Sequence, residues 1–332
     1  MTISTGRDLL ALPKGHLHLH LEGGMRADTL AELAHGYGME VPVVSGFGSF
    51  TAFADMYVAT CAVLRTPEDL ARLVDETVAD AAASGAVWFE PSFYPPHHRA
   101  TFGSDEASLE IVLDALAAAA KRHRVACGLM MGTDRTQDPA EAVALAKLAV
   151  SQRDAGVVSL GLANDEVVGA PEEYAEAFEI GRAGGLLSTP HAGELCGPES
   201  VRGAIDVLGA NRLQHGVRAI EDPDLVKQLA DDGICCDVCP TSNVLLSVVP
   251  DFASHPLPAL LAAGVPCSIN GDDPLLFGPG LLEEYELCRT DLGLSDEDFA
   301  AVARASLVHS GAPADVVSAG LVGVNDWIAT PA

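Results

Sequence analysis

Histidines at positions 16, 18 and 20 alternate with leucines at 17, 19 and 21 in Lys14-Gly-His-Leu-His-Leu-His-Leu-Glu-Gly23. A period of two is the strand period, so the three imidazoles share one face and the leucines the other. Three imidazoles on one face are hard to satisfy with core carbonyls alone, and neutral imidazole is the commonest protein metal ligand, well suited to zinc. An expression tag would not be interleaved with leucine. Three further stretches place acid–base residues beside glycine, where backbone can approach a ligand closely: Thr189-Pro-His191-Ala-Gly-Glu194, Leu213-Gln-His215-Gly-Val217 and Ile269-Asn-Gly-Asp272-Asp273-Pro274. A single Asp near a strand end is usually a helix cap. Four such endings on one rim point to a metal and acid–base site.

The elements that must bring these endings together are legible in the hydrophobic pattern. After the histidine run, short apolar runs recur at 86–93, 125–132, 157–163, 186–192, 212–217, 234–239 and 266–271, making eight in all. Amphipathic or Ala-rich stretches at 109–123, 139–154, 171–183, 198–208 and 222–232 separate most of them. Alternating strand and helix implies a parallel sheet, and eight units in 332 residues imply an α/β fold closed as a (β/α)₈ TIM barrel. With no Ser/Pro-rich linker, residues 1–332 read as one catalytic barrel domain. A helical, lid-like insertion at 24–66 follows the first strand, and C-terminal helices occupy 295–332. Helices are expected at 27–37 and 67–84, the latter capped by Thr66 with Glu68 and Asp69 in its first turn. Phe47, Phe50, Phe53, Ala54 and Tyr57 recur at helical spacing, as in a core helix or one that covers a pocket. The barrel demands that chemistry lie at the C-terminal ends of its strands, where all four polar endings fall.

Composition excludes other classes. Forty-seven acidic against 19 basic residues give a formal charge of −28, which argues against nucleic acid and anionic membrane as partners. The eight cysteines sit in apolar surroundings and read as buried thiols, with no disulfide framework. No signal peptide or membrane-spanning run is evident, so the cytoplasm is the expected compartment. Composition leaves the oligomeric state open.

In combination, His18-x-His20-Leu-Glu-Gly, His191-Ala-Gly-Glu194, His215-Gly-Val, Val238-Cys-Pro-Thr-Ser-Asn243 and Asn270-Gly-Asp272-Asp273-Pro resemble the motifs of the adenosine/adenine deaminase family. They occur in family order over 12–277. The resemblance implies a zinc-dependent amidohydrolase barrel that deaminates a 6-aminopurine. Adenosine to inosine plus ammonia is the first expectation; adenine, or a modified nucleoside such as aminodeoxyfutalosine, is the alternative. A catalytically silent metal-binding barrel is a further one. It makes His18, His20, His191 and Asp272 the ligands of one zinc and leaves out His16, which becomes an interior barrel residue or one exposed at the strand start. Zinc lowers the pKa of bound water from about 15.7 to about 7, and this water adds to purine C6. His215 takes the water's proton or holds the nucleophile in place. Asp272 orients the water, and Glu194, its pKa raised, acts as acid at N1. Asp273 resembles the residue that bonds N7, and His20 also faces substrate.

Departures from the pattern bear on the substrate. Glu22 stands where adenosine-specific members carry an Asp that contacts the ribose 5′-hydroxyl, as in the adenine-specific subgroup. Asn164 replaces a glycine whose N–H meets purine N3, so its side chain is expected to re-shape the sugar side. Glu90-Pro-Ser92 lacks an arginine often found there. Cys236-Asp-Val-Cys239 does not match the Pro-Cys-x-x-Cys of cytosine deaminases, because its proline follows the pair. The stretch 157–163 holds no lysine to bridge two metals.

Overall fold

The computed structural model describes residues 6–46 and 48–331; the expectation for Phe47 lies outside them. The eight apolar runs form eight strands: Lys14–His16; Ala86–Phe89 with Ser92–Phe93; Ala126–Cys127 with Leu129–Asp134; Val157–Ala163; Leu187–Ser188 with His191–Ala192; Arg212–His215; Cys235–Val238; and Cys267–Ile269. Each pairs in parallel with the next in sequence. The eighth meets the first through a parallel bridge, Leu19 with Asp272, in which the His20 N–H donates to Asp272 O at 3.1 Å and the Asp272 N–H to His18 O at 3.1 Å. The ring is therefore closed, and the fold is the (β/α)₈ barrel expected.

Helices pack outside the wall. Their starts follow from local chemistry: Thr66 and Asp69 form a reciprocal capping box on Pro67–Ala83, and proline occupies the first turn of Pro139–Ser151, Pro171–Ala183, Pro198–Asp206 and Pro223–Asp232. One continuous apolar core runs from Leu9 to Trp327 between wall and helices. No helix among the described residues is long and apolar enough to cross a membrane.

The first strand departs from strict alternation. Its ladder ends at His16, and the consecutive amides of Leu17 and His18 share one acceptor, Asn270 Oδ1, at 2.7 and 3.1 Å. This irregularity takes His16 off the face that carries His18 and His20. His16 is neither an interior barrel residue nor exposed. It is buried against Phe89, with ring centroids 5.5 Å apart, and shares a cleft with Leu19, Thr77 and Leu281 on the helix side of the wall. Its Nε2 accepts the Gly271 N–H at 3.3 Å, bracing the turn that precedes Asp272.

Inside the barrel, beneath the site, lies a buried ionic layer. Arg212, fully buried, donates to Asp237 Oδ2 and Glu90 Oε1, both at 2.8 Å, and to His309 O at 3.0 Å. Burial alone would raise the pKa of Glu90, but the Arg212 guanidinium holds its carboxyl below the usual range. Removing one partner of such a group strands the other charges in a dry interior. Arg212→Met should therefore lose about 3–5 kcal/mol of stability, read as a lowered midpoint in urea unfolding; an unchanged midpoint would remove this layer's structural role.

Candidate active site

The C-terminal rim gathers the polar strand endings. His18 and His20 extend from the first strand, His191 lies on the fifth, His215 ends the sixth, and Asp272 and Asp273 follow the eighth. His18 Nε2 lies 3.3 Å from Asp272 Oδ1, and His20 Nε2 lies 3.5 Å from it. The ring of His191 is 4.9 Å from that of His18 and 5.2 Å from that of His20, centroid to centroid. Ring nitrogens of His18, His191 and His215 lie within 4.8 Å of one another, as do donor atoms of His20, Asp272 and Asp273.

The outer contacts define the rings. His18 Nδ1 donates to Asp237 O and His191 Nδ1 to Leu162 O, each at 3.0 Å, so both rings turn a lone pair on Nε2 towards the centre. His18 Nε2 is buried and meets no hydrogen-bond donor among the described residues. An orphaned lone pair among two further imidazoles and a carboxylate fits a zinc ion. Cys239 Sγ also lies within 4.8 Å of His18 and Asp272 donor atoms, a proximity its apolar sequence setting gave no sign of.

Glu194 is buried beside this cluster, its Oε1 3.4 Å from His215 Nε2. Burial pushes its carboxyl well above the usual range, and the nearby charges of Asp272 and Glu166 add to this. Glu166 holds the turn that carries it: its two oxygens accept the N–H groups of Gly193 at 2.6 Å, Glu194 at 3.0 Å and Cys196 at 2.8 Å, together with the Ser200 hydroxyl. Asp273 is buried, and burial, with the charge and proximity of the Asp272 carboxylate, raises its pKa well above the usual range. A Cβ on Gly23 would stand 1.7 Å from Asp273 Oδ1, which gives the glycine of the Leu-Glu-Gly motif its reason. Asn164, His215 and Asp272 adopt positive φ of 76°, 66° and 57°, a backbone conformation that non-glycine residues tolerate mainly where the surroundings impose it.

A cavity of about 100 Å³ opens over the cluster, lined by His20, His191, Glu194, His215, Asp272 and Asp273 below. The helix Phe50–Cys61 covers one side with Phe50, Phe53, Ala54, Tyr57 and Val58, so it is a pocket-covering helix. Phe53 also packs with Leu276 and Phe277, fixing that helix to the rim. Two expected substrate contacts change. Glu22 does not line the cavity; it is fully buried, accepting from His98 Nε2 at 2.5 Å and from the Tyr57 hydroxyl at 2.6 Å. Burial would raise its pKa, but the His98 hydrogen bond holds it at about 2. Asn164 lines the cavity, but its amide folds back, donating to Asp134 Oδ2 at 3.0 Å and accepting the Asp165 N–H at 2.8 Å. The side chain is thus held at the cavity wall by Asp134 and the Asp165 N–H.

An eightfold parallel barrel with three histidines and an aspartate converging on its C-terminal rim defines a metal-dependent hydrolase of the amidohydrolase type. Comparison with known proteins narrows the class. Residues 13–327 match the family model described as adenosine deaminase, and the chain belongs to that family. It is 42% identical over 333 residues to a Streptomyces virginiae protein provisionally named adenosine/adenine deaminase, covering 97% of this chain and 98% of the relative. Among solved structures it resembles an adenine deaminase from Arthrobacter aurescens (29% identity, TM-score 0.89, 96% of this chain and 100% of the other). It also resembles a zinc-bound amidohydrolase from Burkholderia ambifaria (28% identity, TM-score 0.87, 96% and 92%). The chain is thus an aminohydrolase acting on cyclic amidines, of the adenine/adenosine deaminase type, with zinc as its cofactor.

Proposed function

We propose that this chain deaminates free adenine to hypoxanthine and ammonia. The observation that carries the choice of base over nucleoside is the sequestration of Glu22. Both its oxygens are engaged by Tyr57 and His98, so nothing at that position accepts a ribose 5′-hydroxyl. The apolar face of Phe50, Phe53 and Val58 closes over the same side, where a sugar would need polar partners. The adenosine expected first from the motifs is therefore the second reading, favoured by the polar Tyr94, His97 and Asp134 at the cavity lining.

His18, His20, His191 and Asp272 would hold the zinc. Bound there, zinc supplies the Lewis acid that makes a water nucleophilic near neutral pH. Purine N1 and N7 carry lone pairs and need donors. Glu194 and Asp273, whose carboxyl pKa values burial and neighbouring charge raise well above the usual range, supply them. Glu194 passes its proton to N1, so that electrons displaced from C6 by the incoming oxygen are received there. The carboxylate of Asp272 takes the proton lost by the water. The amino nitrogen then leaves as ammonia with the proton held by Asp272, and the C6 hydroxyl returns its proton to Glu194 as the C6 carbonyl forms.

The test is a panel of adenine, adenosine, 2′-deoxyadenosine and 5′-extended adenine nucleosides, read as ammonia release by zinc-loaded protein. The kcat/KM for adenine should exceed that for adenosine by about 10²-fold. A preference for any nucleoside would overturn the base-specific reading, and bound zinc with no ammonia from any member would leave a silent barrel.

A further inference from the structure

A chain of buried polar groups runs from the protein interior into the site: Leu257, His255, Asn243 and His215. The Leu257 N–H lies 3.1 Å from His255 Nδ1, His255 Nε2 lies 3.1 Å from Asn243 Oδ1, and Asn243 Nδ2 lies 3.1 Å from His215 Nδ1. His255, Asn243 and His215 are all buried. None of these contacts was legible in the sequence; Asn243 lies on the short helix Pro240–Leu245, and His255 in the loop after it.

The direction of every bond follows from one fact: a backbone N–H can only donate. His255 Nδ1 must therefore accept from Leu257, which leaves the hydrogen of that neutral ring on Nε2. His255 Nε2 then donates to Asn243, whose carbonyl oxygen must face it and whose NH₂ must face His215. The reversed amide would set two donors against each other at His255. Burial lowers the pKa of His255 to about 4, in keeping with a neutral ring at pH 7. At the end of the chain, His215 Nδ1 receives a donor and must be the lone-pair nitrogen.

We infer that Asn243 and His255 are positioning residues that fix His215 as its Nε2–H tautomer, making it a hydrogen-bond donor in the site. This rests on the deaminase reading above and deepens it. The Nε2–H points between Glu194 Oε1 at 3.4 Å and Asp272 Oδ2 at 3.8 Å, where the attacking water and the developing oxyanion at C6 would lie. Of the two roles open to His215, holding the nucleophile is selected over taking its proton, because Nε2 already bears one. The same assignment separates His215 from its neighbours: His18 and His191 donate through Nδ1 and present lone pairs, whereas His215 presents a hydrogen. Two of these three imidazoles are thereby set to ligate and one to donate.

The test is a two-bond ¹H–¹⁵N spectrum of zinc-loaded, ¹⁵N-histidine-labelled protein, with the His215 signal assigned by its loss in His215→Gln. The expected result is hydrogen on Nε2 and a bare Nδ1. Asn243→Asp replaces the donating amide with a carboxylate and should move the hydrogen to Nδ1, with kcat falling about 10²-fold and KM little changed. A wild-type His215 protonated on Nδ1, or an unchanged tautomer in a folded Asn243→Asp protein, would overturn the inference. If Asn243→Asp does not fold, the wild-type spectrum decides alone. The substrate panel fails independently: a bare Nδ1 with no turnover of any 6-aminopurine upholds the tautomer and sinks the deaminase reading, and the reverse result does the opposite.

Discussion

Glu194→Gln protein should keep its zinc and lose about 10²–10⁴-fold in kcat. The amide has nearly the shape of the acid and carries no charge, so it fits the same buried place beside His215 without stranding an ion. What it lacks is a proton to give. Adenine resists attack at C6 until electron density can move to N1, and that requires N1 to be protonated as the oxygen arrives. Glu194 is suited to this because burial, with Asp272 and Glu166 nearby, lifts its pKa well above the usual carboxyl range. The sign of the pH dependence follows. The working form is the acid, so activity persists through the range where an ordinary carboxyl would be ionised and falls as pH rises through the elevated pKa. Steady-state kinetics across pH, with metal analysis of the same samples, should show this basic limb in the wild type and its disappearance in Glu194→Gln. A folded, zinc-loaded Glu194→Gln protein with near-normal turnover would remove Glu194 from the acid role.

The sequence was most informative where chemistry and periodicity coincided. The eight strands could be placed because each is a short apolar run between helical stretches, and the polar endings stood out because glycine and proline flank them. The misreadings have a common cause in contacts distant along the chain. His16 was placed with His18 and His20 on alternation alone; the irregularity that separates them depends on Asn270, over 250 positions away. Glu22 reads as a pocket residue until His98 and Tyr57 are seen to occupy its oxygens. The aromatic spacing at 50–57 was compatible with a core helix or a cover, and only the packing of Phe53 on Leu276 and Phe277, beside its place in the cavity wall, shows that it serves as both. Glu166 carries no local mark of its task, because the amides it binds belong to a turn after the next strand.

The second large effect is expected at His191. Replacing it with alanine removes the only ligand contributed by the fifth strand and leaves Leu162 O without its ring donor. Three donors from two neighbouring strands would remain. His191→Ala protein should purify with little zinc, and its deaminase activity should fall to background. Stability reports the same loss by another route. Zinc bound only by the native state stabilises it by about 2.7 kcal/mol when free metal is 100 times the dissociation constant. Wild-type protein should therefore melt earlier after chelation, whereas His191→Ala should melt at the same temperature with or without chelator. His215→Ala is the matched comparison. If Asn243 holds His215 with hydrogen on Nε2, that ring cannot ligate, so the variant should retain zinc and its chelator-sensitive melting while losing rate. Zinc lost equally from both variants would make His215 a ligand and undo the division between ligating rings and a donating His215 on which the proposed chemistry depends.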